Sequence, residues 1–136
     1  MRAELTIEIA RTPEDVFDYL TTVSNLPSWQ SGVHAARREG DRILESRHML
    51  GRELSTTLAI EAEERPRVFA IRALDSPVPF TVRHELEPND AGGTRLHVVG
   101  DGDAGMLPGF AAGIMARRAE KQFRKDFERL KRVLET

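Results

Sequence analysis

The chain has 136 residues, 40% of them hydrophobic and 31% charged, with 20 basic against 22 acidic residues and a formal net charge of -2. That length and apolar share suffice for one hydrophobic core without cross-links, so a single domain over residues 1–136 is expected. Near-balanced charge excludes a global attraction to nucleic acid or an anionic membrane, and the lack of cysteine excludes disulfides, thiolate nucleophiles and thiolate metal sites.

Leu5, Ile7 and Ile9 alternate with Glu4, Thr6 and Glu8, the period-two pattern of a half-buried strand. This opening lacks the unbroken apolar stretch of a signal peptide, and no later run is long enough to span a bilayer, so a cytoplasmic location without stable membrane insertion is expected. Thr12 then precedes Pro13, Glu14 and Asp15: an N-cap, a proline at the first helical position, and carboxylates at the positive end of the helix dipole. Val16, Phe17 and Leu20 form the apolar side of this short helix, and Asn25-Leu26-Pro27-Ser28-Trp29 reads as a second cap and one further helical turn.

From Gly32 to Gly102 the pattern is that of strands, interrupted at Gly40-Asp41, Gly51, Pro66, Ser76-Pro77 and Asn89 to Gly93. The expected strands are Val33 to Glu39, Ile43 to Leu50, Glu53 to Glu64, Val68 to Leu74, Phe80 to Glu87 and Thr94 to Gly100. Short polar turns between them imply antiparallel neighbours, because parallel pairing needs long crossovers. The glycine-rich segment Gly100 to Gly105 reads as a mobile gate; Asp101 and Asp103 lack the further ligands of a calcium loop.

Pro108 opens a long amphipathic helix to Glu135, with Phe110, Ala111, Ile114, Met115, Ala119, Phe123, Phe127, Leu130 and Leu134 on one face. At about 1.5 Å per residue it runs roughly 40 Å, and only a curved sheet can wrap its whole apolar stripe. The stripe changes along its length. Phe123, Phe127, Leu130 and Leu134 fill space, whereas Gly109, Ala111, Ala112, Gly113 and Ala116 leave room around Phe110, Ile114 and Met115, where a cavity is expected.

This order of elements, with Thr12-Pro13-Glu14-Asp15-Val16-Phe17-Asp18-Tyr19-Leu20, Asn25-Leu26-Pro27-Ser28-Trp29 and Gly93-Thr94-Arg95-Leu96, resembles the helix-grip domains of the START/Bet v 1-like (SRPBCC) superfamily, in particular its polyketide cyclase/dehydrase-like branch. The resemblance implies an α+β fold: a seven-stranded curved antiparallel sheet around a long C-terminal helix, with two short helices between the first and second strands. It also implies a cavity for a hydrophobic ligand under the last helix. The superfamily includes cyclases, dehydratases and hydrolases as well as lipid binders, and it supplies no fixed catalytic set to carry over.

The chain has no GxSxG, Walker A, HExxH, paired CxxC or dinucleotide glycine fingerprint, and no cofactor is implied. Strand phase groups His84 with Phe80, Val82 and Leu86, and His48 with Leu44, Ser46 and Leu50, so both are expected to face inward. Arg47 and Met49, on the opposite phase to His48, are expected outside. His97 is expected outward beside Arg95, and His34 has no clear phase.

An inward histidine suits general acid–base work or the orientation of a polar ligand group, and it suits equally a hydrogen-bonded core position. The histidines lie on different strands without local ligand spacing, so no metal site is read. Trp29 is either the roof of the pocket or a core plug. Phe69, Ile71, Phe80, Val82, Phe110, Ile114 and Met115 line a cavity or pack until it closes.

The basic residues of the last helix, Arg117 to Arg132, read as a solvated face. Glu120–Arg124 and Glu128–Arg132 are i,i+4 pairs in the favourable order, and nucleic acid is not expected as a partner. The expected function is binding of a hydrophobic or aromatic small molecule, with His48 or His84 orienting a polar group. The alternatives are a cyclase/dehydratase-type enzyme in which such a histidine moves a proton, and a protein-interaction module using the basic helix. Oligomeric state is left open.

Overall fold

The computed structural model describes residues 1–49, 51–76, 78–103 and 108–136. Strand β1 (Arg2–Ile9) leads to α1 (Pro13–Thr21), a single 3-10 turn (Val23–Asn25) and α2 (Leu26–Trp29). Six strands follow: β2 (Val33–Glu39), β3 (Arg42–Met49), β4 (Arg52–Glu64), β5 (Val68–Ala73), β6 (Phe80–Pro88) and β7 (Thr94–Gly102). Helix α3 (Gly109–Glu135) completes the chain. Thr12 caps α1 by accepting a hydrogen bond from the Asp15 amide at 3.2 Å, with Pro13 in the first turn.

All seven strands form one antiparallel sheet in the order β1-β7-β6-β5-β4-β3-β2. Consecutive strands β1 and β2 therefore occupy opposite edges, and the α1–α2 crossover spans the sheet between them. Register shifts between Val33 and Ala35 in β2 and between Ile60 and Ala62 in β4 insert bulges, which bend strands and increase their twist. The sheet is curved, and α3 lies along its hollow beside β1 and α2.

The C-terminal half of α3 is tethered at several points. The Arg11 guanidinium donates to the Leu134 carbonyl at 2.8 Å, the Ala10 amide donates to the Glu135 carboxylate at 2.8 Å, and the Lys131 ammonium donates to the Glu8 carbonyl. Cations near the helix C-terminus also complement its dipole. Beneath this half, Ile9, Val16, Phe17, Leu20, Leu96, Leu130 and Leu134 form a closed core.

Two expectations about the strands are corrected. β7 continues through Gly102, paired with Arg2 and Phe80 at its end, so Gly100 to Gly102 belong to the sheet and not to a gate. In β3 the inward face carries Ile43, Glu45 and Arg47, and His48 is exposed on the other face. Each face of this strand offers one aliphatic residue, Ile43 or Leu44, so alternation alone does not choose between them. Burial is permitted for the charged face because the Arg47 guanidinium pairs with the Glu45 carboxylate. Leu50, Pro77, Ala104, Gly105 and the Met49 side chain, all named in the sequence reading, lie outside the described residues.

Candidate functional site

A cavity of about 820 Å³ separates the sheet from the first half of α3. Ile71 of β5, Phe80, Val82 and His84 of β6 and Gly100 of β7 form its sheet wall, while Phe110, Ile114, Met115, Ala119 and Phe123 form its helix wall. Small residues on α3 make this space: Ala111, Ala116 and Ala119 occupy lining positions without filling them. Phe110 is 78% exposed and Ile114 46%, which places these first turns of the helix at the mouth.

A row of rings forms the inner end. Trp29 lies 5.1 Å from Phe127 between ring centroids, and Phe127 lies 5.0 Å from Phe123. Phe123 in turn rests on Gly100, where an added Cβ would stand 3.0 Å from the ring. Trp29 is both a core residue, 1% exposed, and part of the cavity wall.

His84 is 3% exposed and stacks on Phe69 at 5.7 Å. Its Nδ1 lies 2.7 Å from the Phe69 carbonyl, which can only accept, so Nδ1 carries the proton and Nε2 keeps its lone pair. Burial pulls the His84 pKa down to about 4, only partly opposed by that carbonyl, and the ring is neutral at pH 7. Among the described residues no group donates to Nε2.

The remaining polar groups gather at the α2 end. Arg47 reaches Gln30 at 3.2 Å as well as Glu45, and its guanidinium carbon sits 5.5 Å from the centre of the Phe80 ring. Asp126 of α3 accepts from Gln122 at 2.7 Å and from the Ser31 amide at 3.4 Å, and burial raises its pKa above the usual carboxylate value. A second space of about 20 Å³ lies behind the main cavity, and Trp29, Gln30, Arg47, Ile71 and His84 are walls of both.

The cavity walls thus include Trp29, Ile71, Phe80, Val82, His84, Phe110, Ile114 and Met115 among the residues singled out from sequence. Phe69 faces inward but lines only the small space, under His84. His48 takes no part: it is exposed, edge-on to exposed His34 at 6.2 Å. His97 is on the outer face, 2.7 Å from Glu4. Among the described residues no cluster of three or more potential metal-ligating side chains occurs.

Sequence reasoning missed Gln30, Arg47 and Asp126. The available signals were Glu45 and Arg47 sharing one strand face two residues apart, and Asp126 bordering the apolar stripe beside Phe127. On the exposed side of α3, Glu120 pairs with Arg124 at 3.4 Å and Lys131 with Glu135 at 2.8 Å. The expected Glu128–Arg132 pair is not formed among the described residues. No helix among them is long and apolar enough to cross a membrane.

A family model described as polyketide cyclase / dehydrase and lipid transport matches residues 1–135. No curated protein matches the sequence. A conserved protein from Geobacillus kaustophilus superposes with a TM-score of 0.82 at 14% identity, covering 98% of this chain and 95% of that one. A START superfamily protein from Mycobacterium smegmatis gives 0.78 at 15% identity, covering 98% of each. The di-domain ARO/CYC BexL, from the BE-7585A biosynthetic pathway, gives 0.78 at 18% identity over 97% of this chain and 45% of that one. At these identities the structural matches establish the helix-grip fold.

Proposed function

This chain belongs to the polyketide cyclase / dehydrase and lipid transport family, and on that premise we propose that it binds a lipid- or polyketide-like apolar small molecule between sheet and α3. The observation that carries this reading is the cavity itself. Its volume of about 820 Å³ lies within the range of roughly 300–1,000 Å³ common to small-molecule sites. Apolar side chains dominate its walls and supply affinity, while His84, Arg47 and Gln30 offer a few placed polar atoms to fix orientation.

The test is native mass spectrometry of the protein before and after incubation with a panel of apolar ligands, beside the variant Val82→Trp. That substitution puts an indole into the sheet wall at a partly buried position that lines the cavity. Wild type is expected to carry ligand and Val82→Trp to carry none, with unchanged far-ultraviolet circular dichroism. A wild type that takes up nothing, or a variant that loads equally well, overturns the reading.

A second reading, turnover of the bound molecule by cyclisation or dehydration, is favoured by one specific observation. His84 presents a neutral imidazole with a free Nε2 lone pair inside an apolar enclosure, which is a proton acceptor near a bound substrate. In the same incubation, a polyketide-like ligand recovered chemically altered supports catalysis, and one recovered unchanged leaves binding alone.

A further inference from the structure

The main cavity accounts for an apolar occupant but not for the polar atoms behind it. Among the described residues, Trp29 Nε1 is a buried donor with no acceptor, and Glu45 Oε2 is a buried acceptor with no donor. Thr56, directly across the ladder from Glu45, holds a third buried oxygen without a partner among the described residues. Buried polar atoms are seldom left unpaired, so these call for a partner.

Trp29 and Glu45 both line the space of about 20 Å³, as does His84 with its unshared Nε2. That volume holds about one oxygen-sized group. Five residues, Trp29 and His84 among them, are walls of both spaces, so this recess adjoins the main cavity.

We infer that this recess receives a hydroxyl group, so that the occupant is an uncharged alcohol or phenol and not a carboxylate. The inference rests on the small-molecule reading above. A hydroxyl both donates and accepts, which matches an indole N–H on one side and a carboxylate oxygen or imidazole nitrogen on the other. An alkyl or ether terminus leaves at least the acceptors unmet.

A carboxylate fails for a second reason, which is charge. Arg47 is the cation at this end, and it is already committed to Glu45, with Asp126 as a further acidic neighbour. Glu45 has a fully enclosed side chain, so an incoming anion would meet a buried carboxylate oxygen that has no donor among the described residues.

Isothermal titration calorimetry at pH 7 with three probes of one shape tests this: 1-naphthol, 1-methoxynaphthalene and 1-naphthoate. The alcohol is expected to bind about tenfold tighter than its methyl ether, the worth of one good neutral hydrogen bond, and at least about tenfold tighter than the acid. Glu45→Gln removes the buried charge and is expected to narrow the gap between 1-naphthol and 1-naphthoate several-fold, with its fold checked by thermal melting. Equal affinity for 1-naphthol and its ether, or 1-naphthoate binding as tightly as 1-naphthol, overturns the hydroxyl inference and leaves the cavity reading intact. Binding of none of the three overturns both.

Discussion

The two halves of α3 share one helical period and one apolar face, yet they do opposite things. From Phe127 onward the stripe is closed against β1 and the sheet, and Leu130 is 0% exposed. Ahead of Phe123 the same stripe borders empty volume, and Phe110 and Ile114 face solvent at the mouth. The tethers follow the same division: among the described residues, hydrogen bonds from α3 side chains to the rest of the fold begin at Gln122. Amphipathic spacing decides which face of a helix turns inward. Side-chain bulk and tethering decide whether that face becomes core or pocket.

The largest effect should come from damaging the packed half. Leu130→Ala leaves a void where nothing borders open volume, and it is expected to cost about 2–5 kcal/mol in urea unfolding. A cost below about 1 kcal/mol would mean that the C-terminal half yields as readily as the N-terminal half, and the division between them would fail.

His84 sits where the two regions meet, 5.8 Å from Phe127, and gives the next largest effect. Its pKa is about 4 in the folded protein against 6.5 unperturbed, so the unfolded chain takes up the proton first as pH falls. The stability linked to the neutral ring is therefore complete above pH 6.5 and is lost progressively down to about pH 4, on the order of a few kcal/mol. Comparing wild type with His84→Phe over that window isolates the contribution: the variant should lose stability less steeply. Parallel curves would mean that His84 is not held neutral at the boundary.

Most of the fold was legible because its signals are local. The Thr12-Pro13 cap, the turns at Gly40, Gly51 and Asn89 to Gly93, and the 3.6-residue stripe of the last helix each depend on neighbours in sequence. Gly40, for example, takes a φ of +60° that favours glycine. The site was legible in its apolar walls and not in its polar end. Alternation could not tell that β3 turns Glu45 and Arg47 inward, because burial of that pair depends on their ion pair and on Gln30, which follows the end of α2. Asp126 is hidden for the same reason, since its partner Ser31 lies 95 residues away. Nor could His48 be placed outside while Leu44 competed with Ile43 for the core.

The smallest stability effect is expected at the mouth, and it is the sharper half of the comparison. Ile114 belongs to the same helix as Leu130, but it is 46% exposed and borders the cavity. Ile114→Ala removes atoms that have few neighbours to lose, so its unfolding free energy should stay within about 0.5 kcal/mol of wild type. Those atoms do acquire neighbours when the cavity fills, because the ligand then covers them. At about 0.8 kcal/mol per buried methylene-sized group, affinity for an apolar ligand should fall about tenfold, read by calorimetry on the variant. Helix α3 would then show the two losses separated along its length: stability without a direct ligand contact at Leu130, and affinity without stability at Ile114. If Ile114→Ala instead destabilises the protein as much as Leu130→Ala does, the first turns are packed in solution and the mouth is closed by the helix itself.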